Sequence, residues 1–323
     1  MVRVAMLGLL GLLAACSSDS PPVGDAAGAG GNGAHGGGES GGKGGDGASA
    51  GAGNGELHGG VVVTLHAPSD ADGYTTAIGR FFSGPQPEIL SLEPRLQEGD
   101  CTLFVPHAPF CSESCAPAVC TADDVCTDYP EPQSVGTLSL SGIGETLSLE
   151  PTSSMVVYQS PSLPYPPCEP GAPVTVAADG FSLQAECIAP LELMGPDPIP
   201  IVAEEPLALS WVPSDDAAHS RVRIKLDVSH HGGSKGEIDC DVADTGTFEI
   251  SAALVTELLG LGLAGFPTIN LDRVALGADA SNPDLTLMLS SDVTRAVDTG
   301  VVSCLDASQC PDGQTCKKGG TCG

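Results

Sequence analysis

The folded part of this sequence predicts an all-β, disulfide-rich fold of two β-sandwich-like domains and a small cysteine-rich C-terminal segment. Two observations favour this class. Short alternating or β-branched runs are separated by glycine, proline and aspartate, which is the pattern of strands and turns. In addition, 12 of the 13 cysteines lie beyond residue 100. This even number favours disulfides in an oxidising compartment.

Most of the periodic segments predict strands. They cover residues 61–65, 75–82, 101–105, 135–140, 155–158, 174–178, 181–187, 207–211, 221–228, 238–242 and 268–275. Only residues 251–263 have leucines at helical spacing, with Ser251 as a candidate N-cap and three glycines near the end that shorten the helix. Many strands and one short helix favour packed sheets over helical layers.

A proline-rich stretch divides the folded region. Five prolines fall between residues 190 and 206, so we expect a cysteine-rich β domain over 61–195 and a second β-sandwich domain over 196–300. Residues 301–323 form a four-cysteine module. The single tryptophan, Trp211, is expected to anchor the core of the second domain. In this it resembles the tryptophan on an early strand of fibronectin-like domains.

The N terminus has the layout of a secretory signal, with Arg3, an uncharged run over residues 4–15 and then Cys16. Twelve residues span about 18 Å as a helix, whereas a bilayer core needs about 30 Å. Leu13-Ala14-Ala15-Cys16 resembles the bacterial lipobox. The resemblance implies removal of residues 1–15, lipidation of Cys16 and, because Ser17 follows, sorting to the outer membrane. An ordinary cleaved signal with a chance cysteine is the alternative.

A glycine-rich stretch follows the leader. Eighteen of the 39 residues from 22 to 60 are glycine, a composition typical of a flexible linker. We therefore expect residues 16–60 to be a lipidated tether, so that the chain is exported and meets the membrane through its lipid anchor. The folded part is periplasmic or surface-exposed.

The charge of the folded region limits its partners. Residues 61–323 contain 36 acidic and 10 basic residues, a net charge of −26. Such a surface disfavours nucleic acid and anionic lipid. The carboxylates do not have the spacing of a calcium loop, and the adjacent His230 and His231 are expected to be solvated turn residues. We expect no cofactor and no bound metal.

The last four cysteines are evenly spaced. Cys304, Cys310, Cys316 and Cys322 each stand six residues after the one before. Residues 310–316 resemble the short C-P-x-G-x-x-C modules of extracellular proteins. A zinc site is the alternative, but its cysteine pairs are usually only two to four residues apart. The spacing therefore predicts two disulfides.

A second cluster has an odd number of cysteines: Cys101, Cys111, Cys115, Cys120 and Cys126. At least one of them must pair with Cys168, Cys187 or Cys240. Cys168 and Cys187 flank a predicted hairpin that turns at Asp179-Gly180, so we expect these two to pair and Cys240 to join the cluster. A metal site that includes His107 is the less favoured interpretation in an oxidising compartment.

Two tripeptides could carry chemistry. Asp244-Thr245-Gly246 and Asp298-Thr299-Gly300 resemble the signature of aspartic proteases, in which two carboxylates share a proton. The motifs are only 54 residues apart, whereas each heads a whole lobe in the two-lobed enzymes. Asp-Thr-Gly is also a good turn sequence. We interpret both as turns, keep Asp244 and Asp298 as weak catalytic candidates, and expect Asp244→Asn to be tolerated.

A broader resemblance runs through the folded region. The order of Val135-Gly136-Thr137, Tyr158, Pro170-Gly171, Trp211, Ile238-Asp239-Cys240 and Asp244-x-Gly246-x-Phe248 is similar to predicted surface lipoproteins abundant in myxobacteria. It implies the β architecture and assigns no catalytic residue. The sequence therefore predicts a binding or structural module that recognises a surface protein or polysaccharide. An extracytoplasmic hydrolase using acidic residues is the alternative.

Overall fold

The computed structural model describes six continuous stretches and a few residues near the C terminus. They are residues 57–68, 72–152, 155–214, 218–229, 235–263 and 266–300, with 304, 308, 310 and 313–316. All of them belong to one unit, Gly55–Gly323. The predicted signal peptide, Cys16, most of the tether, and the His230-His231 pair lie outside the described residues.

The described residues are mainly β-strands, with one helix, α1 (Ala252–Gly260). The strands are β1 (His58–His66), β2 (Tyr74–Phe82), β3 (Ser91–Glu98), β4 (Cys101–His107), β5 (Val119–Ala122), β6 (Val125–Thr127), β7 (Leu138–Ser141), β8 (Leu147–Leu149), β9 (Val157–Gln159), β10 (Pro173–Ala178), β11 (Phe181–Glu186), β12 (Leu193–Met194), β13 (Ile199–Pro200), β14 (Leu207–Trp211), β15 (Arg221–Asp227), β16 (Glu237–Ala243), β17 (Thr247–Ile250), β18 (Thr268–Asp279) and β19 (Asn282–Asp298). The predicted all-β, disulfide-rich class is confirmed. In the described ranges, no helix is long and apolar enough to cross a membrane.

One large sheet organises the fold. Its ten strands follow the order β3-β4-β16-β15-β18-β19-β1-β2-β9, with β13 alongside β19. Neighbours are antiparallel except that β1 and β13 each run parallel to β19. Three smaller sheets have the orders β11-β10-β7-β8, β12-β14-β17 and β5-β6. Strand alternation leaves one face of the large sheet apolar, as Val222, Ile224 and Leu226 on β15 illustrate.

Two hydrophobic cores lie against this apolar face. The first packs β1, β2 and part of β19 against the sheet that contains β7, β10 and β11. The second packs β4, β15 and β16 against β14, β17 and α1, with Trp211 fully buried, as expected of a core anchor. The molecule is therefore two sandwich-like layers that share a single large sheet.

The cores do not follow the predicted domain ranges. Cys101 and Leu103 of β4, within residues 61–195, belong to the second core. Leu285 and Leu287 of β19, within residues 196–300, belong to the first. The division expected at residue 195 differs from the observed one because strands distant in sequence pair in the shared sheet.

Local predictions agree with the structure more closely. Strand β14 has the predicted bounds, and β10 and β11 form the expected hairpin, with Gly180 at φ +96° in its turn. Ser251 caps α1 by accepting a hydrogen bond from the Leu254 N–H at 3.3 Å. Strand β3 and the 17-residue β19 were not predicted from the sequence. A signal for β19 was present, because Leu285, Leu287 and Leu289 recur at every second position.

Five disulfides join described cysteines: Cys101–Cys240, Cys111–Cys120, Cys115–Cys126, Cys168–Cys187 and Cys304–Cys316. The expected 168–187 pair and the link from Cys240 to the cluster are confirmed. Cys310 is also disulfide-bonded, and its partner lies outside the described residues, as Cys322 does. The two groups of described cysteines that are close enough to share a metal ion consist of disulfide-bonded residues.

Candidate functional site

A disulfide-braced excursion leaves the large sheet after β4. We call residues 108–129 the finger; it contains the small hairpin of β5 and β6, and none of its residues is buried. Two disulfides, Cys111–Cys120 and Cys115–Cys126, lie within it. Beyond the finger, the Glu131 N–H donates to the Ser83 hydroxyl at 3.1 Å. Because the finger has no apolar core, it depends on these two disulfides for its shape.

The backbone of Phe110 is hydrogen-bonded at the surface of the finger. Its N–H donates to an Asp123 carboxylate oxygen at 3.0 Å, and its carbonyl accepts from the Asp124 N–H at 3.0 Å. The side chain is nevertheless 71% exposed. Val125 is also exposed, and its carbonyl oxygen lies 3.7 Å from Sγ of Cys111, the residue after Phe110. The finger thus presents two apolar side chains to solvent from a hydrogen-bonded backbone, so that little backbone entropy is lost on binding.

The finger carries only negative charge. Residues 108–129 include four carboxylates, those of Glu113, Asp123, Asp124 and Asp128, and no lysine or arginine. Asp124 occupies a turn with φ +56° and accepts hydrogen bonds from the N–H and hydroxyl of Ser112 at 2.9 and 2.7 Å. These bonds hold the pKa of Asp124 below its ordinary value. The apolar tip therefore stands in an anionic setting.

Sequence reasoning identified the cysteines of the finger but not Phe110. Alternation and helical spacing are both missing around this exposed aromatic residue, so no periodic signal marked it. The available signal was compositional. No lysine or arginine occurs between Arg95 and Arg221, and four cysteines fall within residues 111–126. These two features together mark an anionic, crosslinked surface segment.

Asp244, one of the two weak catalytic candidates, is completely buried. One carboxylate oxygen accepts from the Trp211 indole N–H at 2.7 Å, and the other accepts from the Ser220 hydroxyl at 2.7 Å. Arg273 donates to both oxygens, at 3.0 and 2.6 Å. Burial acts to raise the pKa of Asp244, but these hydrogen bonds outweigh burial and leave the pKa lowered.

Arg273 uses all five of its N–H groups. Besides Asp244, it donates to the carbonyl oxygens of Ala189, Pro190 and Val212 at 3.2, 2.9 and 2.6 Å. On β18, Arg273 lies between a residue of the second core and a residue of the first. The Asp244–Arg273 pair therefore fixes the seam at which the two cores meet, with the donors and acceptors of both side chains satisfied.

The interpretation of Asp244-Thr245-Gly246 as a hairpin turn is wrong, and with it the reason for expecting Asp244→Asn to be tolerated. Gly246 does have a positive φ of +89°, as expected, but β16 and β17 belong to different sheets. The tripeptide is a corner between sheets that carries Asp244 into the seam. A carboxylate held ionised by Arg273 cannot share a proton with a second one, so its geometry supports a structural role.

Asp298 is located differently. It ends β19, is exposed, and accepts a hydrogen bond from the Gly300 N–H at 2.8 Å, which is the turn that the sequence predicted. It also borders a cleft of about 650 Å³ lined mainly by apolar residues such as Ile201 and Leu259. Among the described residues, Asp298 is not a hydrogen-bond partner of Asp244. The structure therefore does not bring the two carboxylates together as a catalytic dyad.

A Gly-x-Ser-x-Gly pattern occurs at residues 232–236. In hydrolases that use this pattern, the serine lies on a sharp turn between a strand and a helix. Here the pattern falls in the connection between the antiparallel strands β15 and β16. The chain context required of a nucleophile elbow is therefore not met.

Charged side chains line the face of the large sheet opposite the cores. Arg223 on β15 lies between Asp241 and Asp272 of the neighbouring strands. Burial raises the pKa of Asp272 to about 6, with repulsion from Asp292 adding to it and the Ser290 hydroxyl, 2.8 Å away, opposing it. Burial and repulsion from Glu237 likewise raise the pKa of Asp239 to about 6.

These raised pKa values predict an unusual pH dependence of stability. A carboxyl group whose folded pKa lies above its unfolded pKa stabilises the fold below the unfolded value, and this contribution is lost as pH rises through about 6. We expect the free energy of unfolding to fall by roughly 2 kcal/mol between pH 4.5 and 7.5 through Asp272. Urea unfolding across this range measures it. Asp272→Asn should flatten the profile, whereas Asp279→Asn, at an exposed turn, should not.

No family model matches the sequence, and no curated protein matches it. The functional interpretation therefore depends on the geometry of the finger and on the leader sequence.

Proposed function

We propose that this chain is an exported, lipid-anchored binding protein of the outer membrane that recognises a partner through its finger. The observation that carries the proposal is the exposed side chain of Phe110, whose backbone is hydrogen-bonded to Asp123 and Asp124, on a segment that adds nothing to either core. Large exposed apolar side chains favour aggregation and add no stability to the fold. A binding partner that covers the side chain gives it a role.

The predicted localisation supports this function. The lipobox at residues 13–16 predicts attachment at Cys16, and the glycine-rich tether predicts a reach of about 35 Å from the membrane. The disulfides suit an exported protein, because such bonds persist outside the cytosol. A tethered, crosslinked domain can search the surrounding envelope for a partner while it stays on its membrane.

The role of Asp244 also supports binding over acid-dyad hydrolysis. The aspartic-protease alternative needs a carboxylate that exchanges protons with a second one. Asp244 is instead committed to Arg273, Trp211 and Ser220 in the interior. Asp244, one of the two weak catalytic candidates, is thus accounted for by the stability of the fold.

The proposal predicts that Phe110→Ala weakens binding at the envelope about 10- to 100-fold, because truncation of a central aromatic anchor removes much of the binding energy of an interface. Full-length protein in lipid nanodiscs is titrated with outer-membrane vesicles from a strain that lacks the gene. Leu276→Ala is the matched control, since Leu276 is 53% exposed on β18 and far from the finger in sequence. Equal affinities for the wild type and Phe110→Ala, or no saturable binding, would contradict the proposal.

A further inference from the structure

We infer that the partner of the finger is a protein surface with an apolar pocket ringed by lysine or arginine side chains. This inference rests on the proposed function and specifies the chemistry of the partner. It follows from the distribution of charged and apolar side chains on the finger.

The exposed apolar part of the finger is small. Phe110 is 71% exposed and Val125 is 49% exposed, and hydrogen bonds join their neighbouring backbone segments. A protruding aromatic held by its backbone fits a pocket rather than a flat surface, because burial of the whole ring requires apolar walls on several sides. The partner must supply that pocket.

The carboxylates of the finger are not neutralised by a cation inside the finger, which contains no lysine or arginine. Asp123 and Asp124 accept hydrogen bonds from N–H and O–H groups that carry no charge. Glu113 and Asp128 are exposed and make no hydrogen bond or ion pair with any described residue. Asp123 and Asp124 lie beside Phe110, Glu113 and Asp128 add two more negative charges to the same finger, and a cationic rim on the partner pairs with them.

The same charge disfavours other occupants. Phosphates of nucleic acids and anionic lipid headgroups repel four carboxylates. A neutral polysaccharide would leave those carboxylates without charged partners and would bind with little dependence on salt. The charge of the finger thus favours a basic protein over the other surfaces of a cell envelope.

Association kinetics test the chemistry of the partner. Vesicles from the gene-deleted strain are flowed over the full-length protein in nanodiscs at 0.05 and 0.5 M NaCl. We expect the association rate to fall about 10-fold at the higher salt concentration, because rim charges steer encounter. Glu113→Gln combined with Asp128→Asn should slow association several-fold at low salt. Phe110→Ala should instead accelerate dissociation.

A matched pair of carboxylates serves as the control. Glu145 and Asp179 are exposed in the turns between β7 and β8 and between β10 and β11. Glu145→Gln combined with Asp179→Asn removes the same charge from the chain but leaves the finger unchanged, so this variant should associate at the wild-type rate. Equal slowing by both double variants would show an effect of total charge and overturn the inference.

A crosslink from position 110 identifies what covers it. A benzoylphenylalanine residue at this position, in the full chain on living cells, should yield a protein adduct whose linked segment is flanked by lysine or arginine. An adduct with a polysaccharide or an acidic segment, or association that does not depend on salt, overturns the cationic partner but leaves recognition by the finger intact. Binding unaffected by Phe110→Ala overturns both.

Discussion

Replacement of Asp244 with asparagine is expected to lower the free energy of unfolding by about 3–5 kcal/mol. Asparagine has nearly the same shape, but it offers Arg273 no negative charge and places an amide N–H₂ where an acceptor is required. The guanidinium, 1% exposed, then remains buried without its counterion. The seam between the two cores depends on this pair, so the loss should affect cooperative unfolding of the whole described fold.

Urea unfolding monitored by the fluorescence of Trp211 measures this loss, since the indole itself binds Asp244. Asp241→Asn is the matched control. Asp241 also pairs with an arginine, Arg221, but the two side chains are 42% and 53% exposed. An exposed pair of this kind contributes about 0–1 kcal/mol. Equal stability of the Asp244→Asn and Asp241→Asn variants would show that the buried pair does not hold the seam.

Removal of the Cys101–Cys240 disulfide is expected to cost about 5 kcal/mol, the largest effect among the disulfides. The bond closes a loop of 139 residues and joins directly opposed residues of β4 and β16. Its loss frees the unfolded chain over nearly half of its length. It also leaves β4 joined to the second core only through strand pairing and side-chain packing.

The double variant Cys101→Ala and Cys240→Ala tests this expectation by chemical unfolding under oxidising conditions. The control removes Cys168–Cys187, whose sequence separation is 19. The same loop-closure argument gives about 3 kcal/mol for that shorter loop. A smaller loss for Cys101–Cys240 than for Cys168–Cys187 would show that loop length does not set the order of the two disulfides.

In the finger, the disulfides could be predicted from the sequence, but the exposed aromatic residue could not. An even number of cysteines in an oxidising compartment predicted disulfides correctly, because pairing follows from redox chemistry and count. The identity of the exposed anchor did not follow. Whether Phe110 enters a core depends on what the rest of the chain places beside it, and its hydrogen bonds to Asp123 and Asp124 appear only in the folded hairpin.

The Asp-Thr-Gly tripeptides show the same division at the level of one residue. The positive φ values of Gly246 and Gly300 were predictable, because a local turn requires them and glycine supplies them without steric cost. The two aspartates have identical neighbours within the motif but opposite surroundings, one buried and one exposed. That difference arises from Trp211, Ser220 and Arg273, which lie 24 to 33 residues away along the chain.

The sequence by itself determined the all-β class, the bounds of strands such as β14, the Ser251 cap of α1 and the pairing of Cys168 with Cys187. Each depends on alternation, capping or turn chemistry within a short stretch of chain. Only the tertiary structure decided that two sandwich-like layers share one sheet, because β4 pairs with β16 across more than 130 residues. It also decided that Asp244 holds the seam and that Phe110 faces solvent, since burial depends on which distant strands become neighbours.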